Sequence, residues 1–442
     1  MKRIKVGAAL SLTALLLIAC GDNNGGNNDE NANENATENA GENSDNASEE
    51  TTVLTAWAWN INIPVLEEAA DLFAEENPGF ELDIRETGTP DVYQQITTGL
   101  QANGEGLPDI MLVEDDRLQG YLNSFPDDFL NLSEYGFLEE HGDKFPEFKT
   151  ELLSINDEIH GVPFDAGPTG VFYRTDLFEE AGIDAESIAT WDDFVDAGHQ
   201  LRDELDVAIT GVDVNNDDGL FRIMLNQQGK FYFDDNNNID IDSPEAVQAM
   251  EIVQQLDAEG LNENLVGWDA WLGGLANGTV ATAPTGAWLT GSLMAQAPDL
   301  EGQWGVMPLP AFEEGGNQSA NLGGSNYVIS SRTENPDLAY EFIEFFSTSE
   351  EVQLMAMEGG LFPSLNTIYD EDVFTAPDAY FGDQAIWEMF AGMMEDIPYA
   401  NYTGNYAVAR DEAETAQAEV IGGMDVQEAL EAAAAQLDNR IN

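Results

Sequence analysis

The chain has 442 residues, with 85 acids against 14 bases and a formal net charge of −71. A surface of that sign repels nucleic acid and disfavours an anionic ligand, so both partner classes are set aside. The only cysteine is Cys20, which excludes an intrachain disulfide.

Residues 1–20 read as a targeting signal. Lys2, Arg3 and Lys5 form a basic start, and Val6 to Ala19 is an apolar run too short to span a bilayer comfortably. It ends in Leu17-Ile18-Ala19-Cys20-Gly21, which resembles a bacterial lipobox, with the Cys20 thiol accepting a diacylglyceryl group before cleavage. Residues 21–52 are almost wholly Gly, Asn, Asp, Glu, Ser, Thr and Ala. With nothing large to bury, they are expected to stay disordered, as a tether between membrane and folded body. So acidic a chain repels itself at low ionic strength, and we read the charge as adaptation to high salt, where screening is short-ranged. Individual surface carboxylates are therefore not taken as catalytic.

The remaining region, roughly residues 53–442, is long enough for two lobes. Val53 to Trp57 is predicted as a strand. Asn62 and Pro64 open a helix with Leu66, Ala69, Ala70 and Phe73 on one face, stopped by Asn77-Pro78-Gly79. Phe80, Leu82 and Ile84 alternate with acids as a second strand. Val92, Ile96 and Leu100 mark another helix, and Asp109 to Val113 a third strand. Strands alternating with helices predict a parallel α/β sheet, whose ligands sit outside the carboxyl ends of the strands. Trp59 and Asn60 leave the first strand, and Glu114 and Asp115 leave the third, so both segments point toward one cleft edge. Only one of Trp57 and Trp59 is expected to reach ligand, and Trp59 with Asn60 is preferred on the ligand side.

Between Ile159 and Ile183, Pro163, Gly167, Pro168 and Gly170 are too dense for a helix. Val171 to Tyr173 reads as a short strand, and Asp176 as the cap of a short helix ending at Gly182. The Gly161-Val162-Pro163 turn, Phe172-Tyr173-Arg174 running on to Ala181-Gly182-Ile183, and Thr190-Trp191-Asp192-Asp193-Phe194 together carry a resemblance. They resemble the first interlobe crossing of the extracellular solute-binding proteins of bacterial sugar ABC importers, the maltose-binding-protein superfamily. The resemblance implies an α/β, two-lobed periplasmic-binding-protein fold (type II-like) with a hinge of three interlobe crossings. Pro108-Asp109-Ile110 leading to Glu114-Asp115 matches the same family pattern. Ala283 to Trp288 resembles the second crossing, and Asn321 to Ile329 the third, where Gly323 and Gly324 allow the backbone to approach a ligand. On this reading residues 53–164 and 286–325 form the N-lobe, and 168–282 and 328–442 the C-lobe.

Asp234, Asn236, Asn238, Asp240, Asp242 and Glu245 imitate the spacing of an EF-hand loop, but Ile239 stands where the turn glycine is needed. The same stretch resembles the family's hairpin turn before Ser243-Pro244-Glu245-Ala246, and no metal is expected. Asp213 to Asp218 fails similarly, with Asp218 at the glycine position. His141, His160 and His199 are scattered, without metal-ligand spacing. Trp191, Phe194 and Leu201 share a helix face and read as core, as do Phe342, Ile343 and Phe346. Trp268 and Trp271 precede a Gly-rich segment, where a helix-core role is less natural. In the family, aromatic residues near there line the sugar cleft.

The candidate ligand residues are thus Trp59, Asn60, Glu114, Asp115, Asp165, Trp268, Trp271, Trp288, Gly323, Gly324 and Asn326, with no catalytic residue and no cofactor. The resemblance implies a monomeric binding protein rather than an enzyme, lipid-anchored on the extracellular face of the membrane. It would capture a neutral sugar or oligosaccharide by lobe closure and deliver it to separate ABC permease subunits. Tryptophan faces cover the apolar side of a pyranose, and amide and carboxylate groups match its hydroxyls. Ala58-Trp59-Asn60-Ile61 and Glu114-Asp115-Asp116-Arg117 with Gly120-Tyr121-Leu122 look most like lactose- or arabinose-type binders. The alternatives are a secreted glycoside hydrolase, whose carboxylate pair an acidic chain supplies trivially, and a surface adhesin lipoprotein.

Overall fold

The computed structural model describes residues 51–59, 62–86 and 89–442. The expected targeting signal with Cys20, nearly all of the expected tether and Asn60 lie outside the described residues. Thr52, assigned to the tether, already pairs with Phe80 as the start of the first strand.

Eight strands share one sheet: β1 (Thr52–Ala58), β2 (Phe80–Glu86), β3 (Ile110–Glu114), β4 (Gly161–Arg174), β5 (Thr282–Gly286), β6 (Trp304–Pro308), β7 (Asn321–Ile329) and β8 (Phe362–Pro363). β1 lies between β2 and β3 and runs parallel to both, as the alternation of strands and helices predicts. The crossover helix α1 (Asn62–Glu76) buries Leu66, Ala69, Ala70 and Phe73, the face read from its 3.6-residue period. Beyond β3 the sheet departs from the all-parallel expectation. β3 meets β7, β7 meets β4, and β4 meets both β5 and β6, every pair antiparallel. The sheet is therefore mixed.

β4 exchanges partners part-way along its length. Residues 161–168 pair with β7, while 169–173 pair with β5 and 170–174 with β6. Local signals predicted only a short strand here, because proline and glycine usually break one. In β4 they make room for neighbours. A Cβ on Gly167 would stand 2.1 Å from the Leu322 carbonyl oxygen, and one on Gly170 2.9 Å from Val306 Cγ1. The helix after β4, Thr175–Ala181, ends at Gly182 with φ +74° as expected. Asp176 does not cap it. Its carboxylate instead accepts from Arg174 Nε and Nη2 at 2.8 and 2.7 Å.

The pairing also bears on where two lobes would divide. β6, inside the stretch 286–325 assigned to the N-lobe, lies beside the far half of β4. Helix α2 (Pro336–Thr348), assigned to the C-lobe, instead packs Phe342 against Phe73 of α1, with ring centroids 5.4 Å apart. Which edge a strand pairs with is set by distant residues, which local periodicity does not report. The core readings hold: Trp191, Phe194, Phe342, Ile343 and Phe346 are all buried. Asp234 Oδ1 accepts from the backbone of Asn236 and Asn238, closing a turn before the helix Pro244–Ala258, which Ser243 caps.

Candidate functional site

A cavity of about 1250 Å³ opens where β1 and β3 end and β4 changes partners. Strand ends on an α/β sheet leave backbone and side chains pointing outward together, which is why such edges collect ligands. Trp59 reaches the cavity just after β1, Glu114 and Asp115 from the end of β3, and Asp165 from the middle of β4. Leu322 to Ser325 of β7 supply another side.

The floor is a buried charge cluster. Helix α3 (Glu147–Leu152) carries Lys149, fully buried, whose Nζ donates to Asp115 Oδ1 at 2.5 Å. Asn326 Nδ2 donates to the same oxygen at 2.7 Å. Asp115 Oδ2 and Asp165 Oδ1 are buried with no hydrogen-bond partner in the protein. Burial raises the Asp115 carboxyl, against the opposing pull of Lys149. Burial likewise pushes Asp165 up to about 7, and here Lys149 opposes it only from a distance. Glu114 is also pushed to about 7, first by burial and then by Asp116, while the Tyr93 hydroxyl donates to its Oε2 at 2.8 Å.

The opposite character is aromatic. Helix α4 (Trp268–Asn277) begins with Trp268 and Trp271, and Trp288 joins them from the segment after β5. Their ring centroids lie 5.5, 5.9 and 6.3 Å apart, with planes inclined by 38 to 47°. Trp268 is outermost, 49% exposed. Trp288 Nε1 donates to the Leu322 carbonyl at 2.9 Å. Gly323 and Gly324, both at positive φ, join wall to floor. A Cβ on Gly323 would lie 3.2 Å from Trp288 Nε1, and one on Gly324 2.7 Å from Asp115 Oδ2. Side chains at these two positions would fill the junction.

Among the sequence-derived candidates, Trp59, Glu114, Asp115, Asp165, Trp268, Trp271, Trp288, Gly323 and Gly324 all line this cavity. Asn326 does not. It is fully buried behind Asp115 and orients that carboxylate. Trp57 packs beneath Arg85, 5.5 Å from ring centre to guanidinium, rather than toward the cavity.

The sequence reading missed further lining. Arg117, Arg222 and Arg410 are there despite the scarcity of bases, together with Thr210 to Asp213, Asp217, Tyr402 and Gly359 to Leu361. Each arginine is engaged. Arg222 Nε donates to buried Asp218 at 3.0 Å and its Nη1 to the Tyr406 hydroxyl at 2.6 Å. Arg410 Nε lies 2.9 Å from Glu414 and 3.3 Å from Asp218. Arg117 sits over the Tyr93 ring and 3.5 Å from Asp116. Arg222 at i+4 from Asp218 was legible as a helical pair, but its place in a cavity wall was not.

Outside the cavity, Glu140, His141 and Glu344 bring one metal-capable atom each within 4.8 Å of one another, so His141 is less isolated than its sequence spacing implied. Both its ring nitrogens are engaged, Nε2 with Glu344 at 2.8 Å and Nδ1 with Lys144 at 2.9 Å.

Comparison with known proteins decides the family. Residues 59–353 match the family described as bacterial extracellular solute-binding protein. The chain belongs to that family. This solute-binding protein is 32% identical over 390 residues to a lactose-binding protein of Rhizobium radiobacter, covering 86% of this chain and 90% of the relative. It is 28% identical over 365 residues to an arabinooligosaccharide-binding protein of Halalkalibacterium halodurans, covering 80% and 81%. Its fold matches the ABC transporter associated binding protein from B. animalis subsp. lactis Bl-04 in complex with beta-1,6-galactobiose, with TM-score 0.74 and 25% identity, over 88% of this chain and 98% of that one. The family match begins at Trp59 and takes in the carboxylate floor, all three wall tryptophans and the glycine pair.

Proposed function

We propose that this solute-binding protein captures a neutral sugar or short oligosaccharide and hands it to an ABC permease. The observation that carries the reading is one cavity with an aromatic wall of Trp268, Trp271 and Trp288 joined to a floor of unpaired carboxylate oxygens. Aromatic faces suit the apolar side of a pyranose, and carboxylate oxygens accept from its hydroxyls. The named relatives support the substrate class. A neutral ligand fits better than an anion because the lining arginines already have acidic or aromatic partners, and acids outnumber them in the lining.

Closure is proposed to turn on the partner exchange in β4. One lobe then comprises β1 to β3, the first half of β4, the end of β7 and α2. The other comprises the second half of β4 with β5, β6 and α4. A ligand touching the wall and the floor at once favours the closed state by its differential contacts. Lipid anchoring through Cys20 on the extracellular face belongs to the same proposal and rests on the sequence. Among the described residues, no helix is long and apolar enough to cross a membrane, so translocation is assigned to separate subunits. Membership of a solute-binding family removes the ground for the hydrolase alternative.

Lactose and beta-1,6-galactobiose, titrated by calorimetry in molar salt, test the substrate class. Saturable one-to-one binding without cleavage is expected. No heat from either sugar, or its hydrolysis, would overturn it. For the anchor, mass spectrometry of the cell-derived protein should find an acylated Cys20, and Cys20→Ser should remain unprocessed. Cleavage elsewhere without an acyl group would refute anchoring.

A further inference from the structure

Two carboxylates at the cavity floor share one lysine. Lys149 commits its Nζ to Asp115 Oδ1 at 2.5 Å, and the Asn326 amide reinforces the same oxygen at 2.7 Å. Asp165 sits alongside on β4, only 4% exposed and lining the cavity, with its Oδ1 buried and without a partner in the protein while Ser325 hydrogen-bonds the carboxyl. A second buried carboxylate without its own cation costs far more ionised than neutral.

The groups facing Asp165 from the surrounding elements point the same way. From the end of β3 comes the acidic Asp115, while Glu114 and Asp116 line the same cavity and Arg117 is turned to the Tyr93 ring. From α3 comes Lys149, already spoken for. From β7 come Ser325, which hydrogen-bonds Asp165 and favours its ionised form, and Tyr327, whose buried hydroxyl has no partner. β8 pairs Pro363 with Asp165 and brings no charge.

We propose that Asp165 enters the site as a neutral carboxylic acid and donates its proton to an acceptor-only oxygen of the ligand. Resting on the sugar reading above, this acceptor is the ring or glycosidic oxygen, which cannot donate to a carboxylate. Asp115, fully buried and paired with Lys149, holds that cation away from Asp165. The floor thereby offers a donor, and it selects a ligand edge that presents an acceptor. Sugar capture is then linked to a proton on Asp165. Burial holds this carboxyl near 7, so the donor is present below neutrality and lost above it.

The test uses the full chain in molar sodium chloride, with lactose as the probe. The side-chain carboxyl carbons of the aspartates are followed by NMR, the Asp165 signal being assigned by its loss in Asp165→Asn. That carbon should titrate near 7 without lactose and higher with it. Lactose affinity should weaken about tenfold between pH 6 and pH 8, as expected for one donor proton titrating at 7. Asp165→Asn keeps an N–H donor and should bind with affinity that is flat over this range. Asp165→Ala should lose at least about tenfold at pH 6. An Asp165 carbon titrating in the ordinary carboxylate range would overturn the proposal. So would a pH dependence that survives Asp165→Asn and disappears in Glu114→Gln. Should Asp165→Asn not fold, an aspartate carbon titrating near 7 in the wild type, together with weakening of lactose binding over the same range, supports the proposal; neither being present contradicts it. Lactose failing to bind at every pH would count against the sugar reading, and the carbon titration would then decide the protonation by itself.

Discussion

Lys149 is one of few bases in the folded region, and nothing around it in the sequence marks it as special. The contact that matters joins it to Asp115, 34 positions away, in a pair with essentially no exposure. Removing one partner of a buried pair strands the other. Lys149→Met should therefore cost roughly 3–5 kcal/mol in denaturant unfolding at molar salt. A loss below about 1 kcal/mol, the worth of an exposed pair, would contradict a buried ion pair. The floor acids were easier to read, because Glu114 and Asp115 follow a strand of apolar residues, where an α/β sheet presents ligand groups. Their proton affinities have a consequence for the protein alone. Glu114 and Asp165 each sit near 7 when folded, against ordinary values of 4.5 and 3.8. The folded chain holds protons that the unfolded chain releases, so this contribution is full below about pH 4 and is lost as pH rises through 7. Melting temperature in molar salt should fall between about pH 5 and pH 8, and Asp165→Asn should flatten part of that fall. A rise over this window would contradict the assigned burial. On the wall, Trp271→Ala should weaken lactose binding by about one to two decades, taking a stacked ring as worth roughly 1–3 kcal/mol by analogy with base stacking. Wild-type affinity in single alanine variants of Trp268, Trp271 and Trp288 would exclude the aromatic platform.

At the scale of the element, β4 carries both the fold and the site. Gly167 lets the Leu322 carbonyl come within 2.1 Å of where its Cβ would be, and Gly324, at φ +103°, lies against Asp115 Oδ2 in the same way. Gly167→Ala should break the pairing of β4 with β7 and lower the melting temperature by several degrees at least, since backbone cannot step aside as a flexible side chain can. Unchanged melting would mean that the close approach is not required. This strand also marks the limit of the local reading. β1, α1, β2 and β3 were legible because apolar residues repeat with the right period and stop signals follow them. β4 reads as shorter than it is because its own prolines and glycines report strain in an isolated strand and not the crowding of four neighbours. The neighbours of β6 and α2 were not legible for a related reason, since partner choice lies in contacts across more than a hundred residues. The tryptophans of α4 were legible as unsuited to a core, whereas the arginines of the wall were hidden by an average composition that is overwhelmingly acidic.

For the whole molecule, 85 acids against 14 bases make self-repulsion a term in every equilibrium. Raising sodium chloride from dilute to molar should raise the melting temperature by shortening the range of that repulsion. A flat or falling curve would remove the reading of the charge as adaptation to salt. The proposed closure around a ligand would bring acidic surfaces together, so the same screening should tighten sugar binding. Capture of a neutral sugar between wall and floor is tested most directly by small-angle scattering with calorimetry on the same sample, in molar salt, as lactose or beta-1,6-galactobiose is added. Capture by closure predicts one sugar bound per chain and a radius of gyration that falls in step with occupancy, with the sugar recovered intact. Saturable binding at constant radius, or no binding of either sugar, would contradict it.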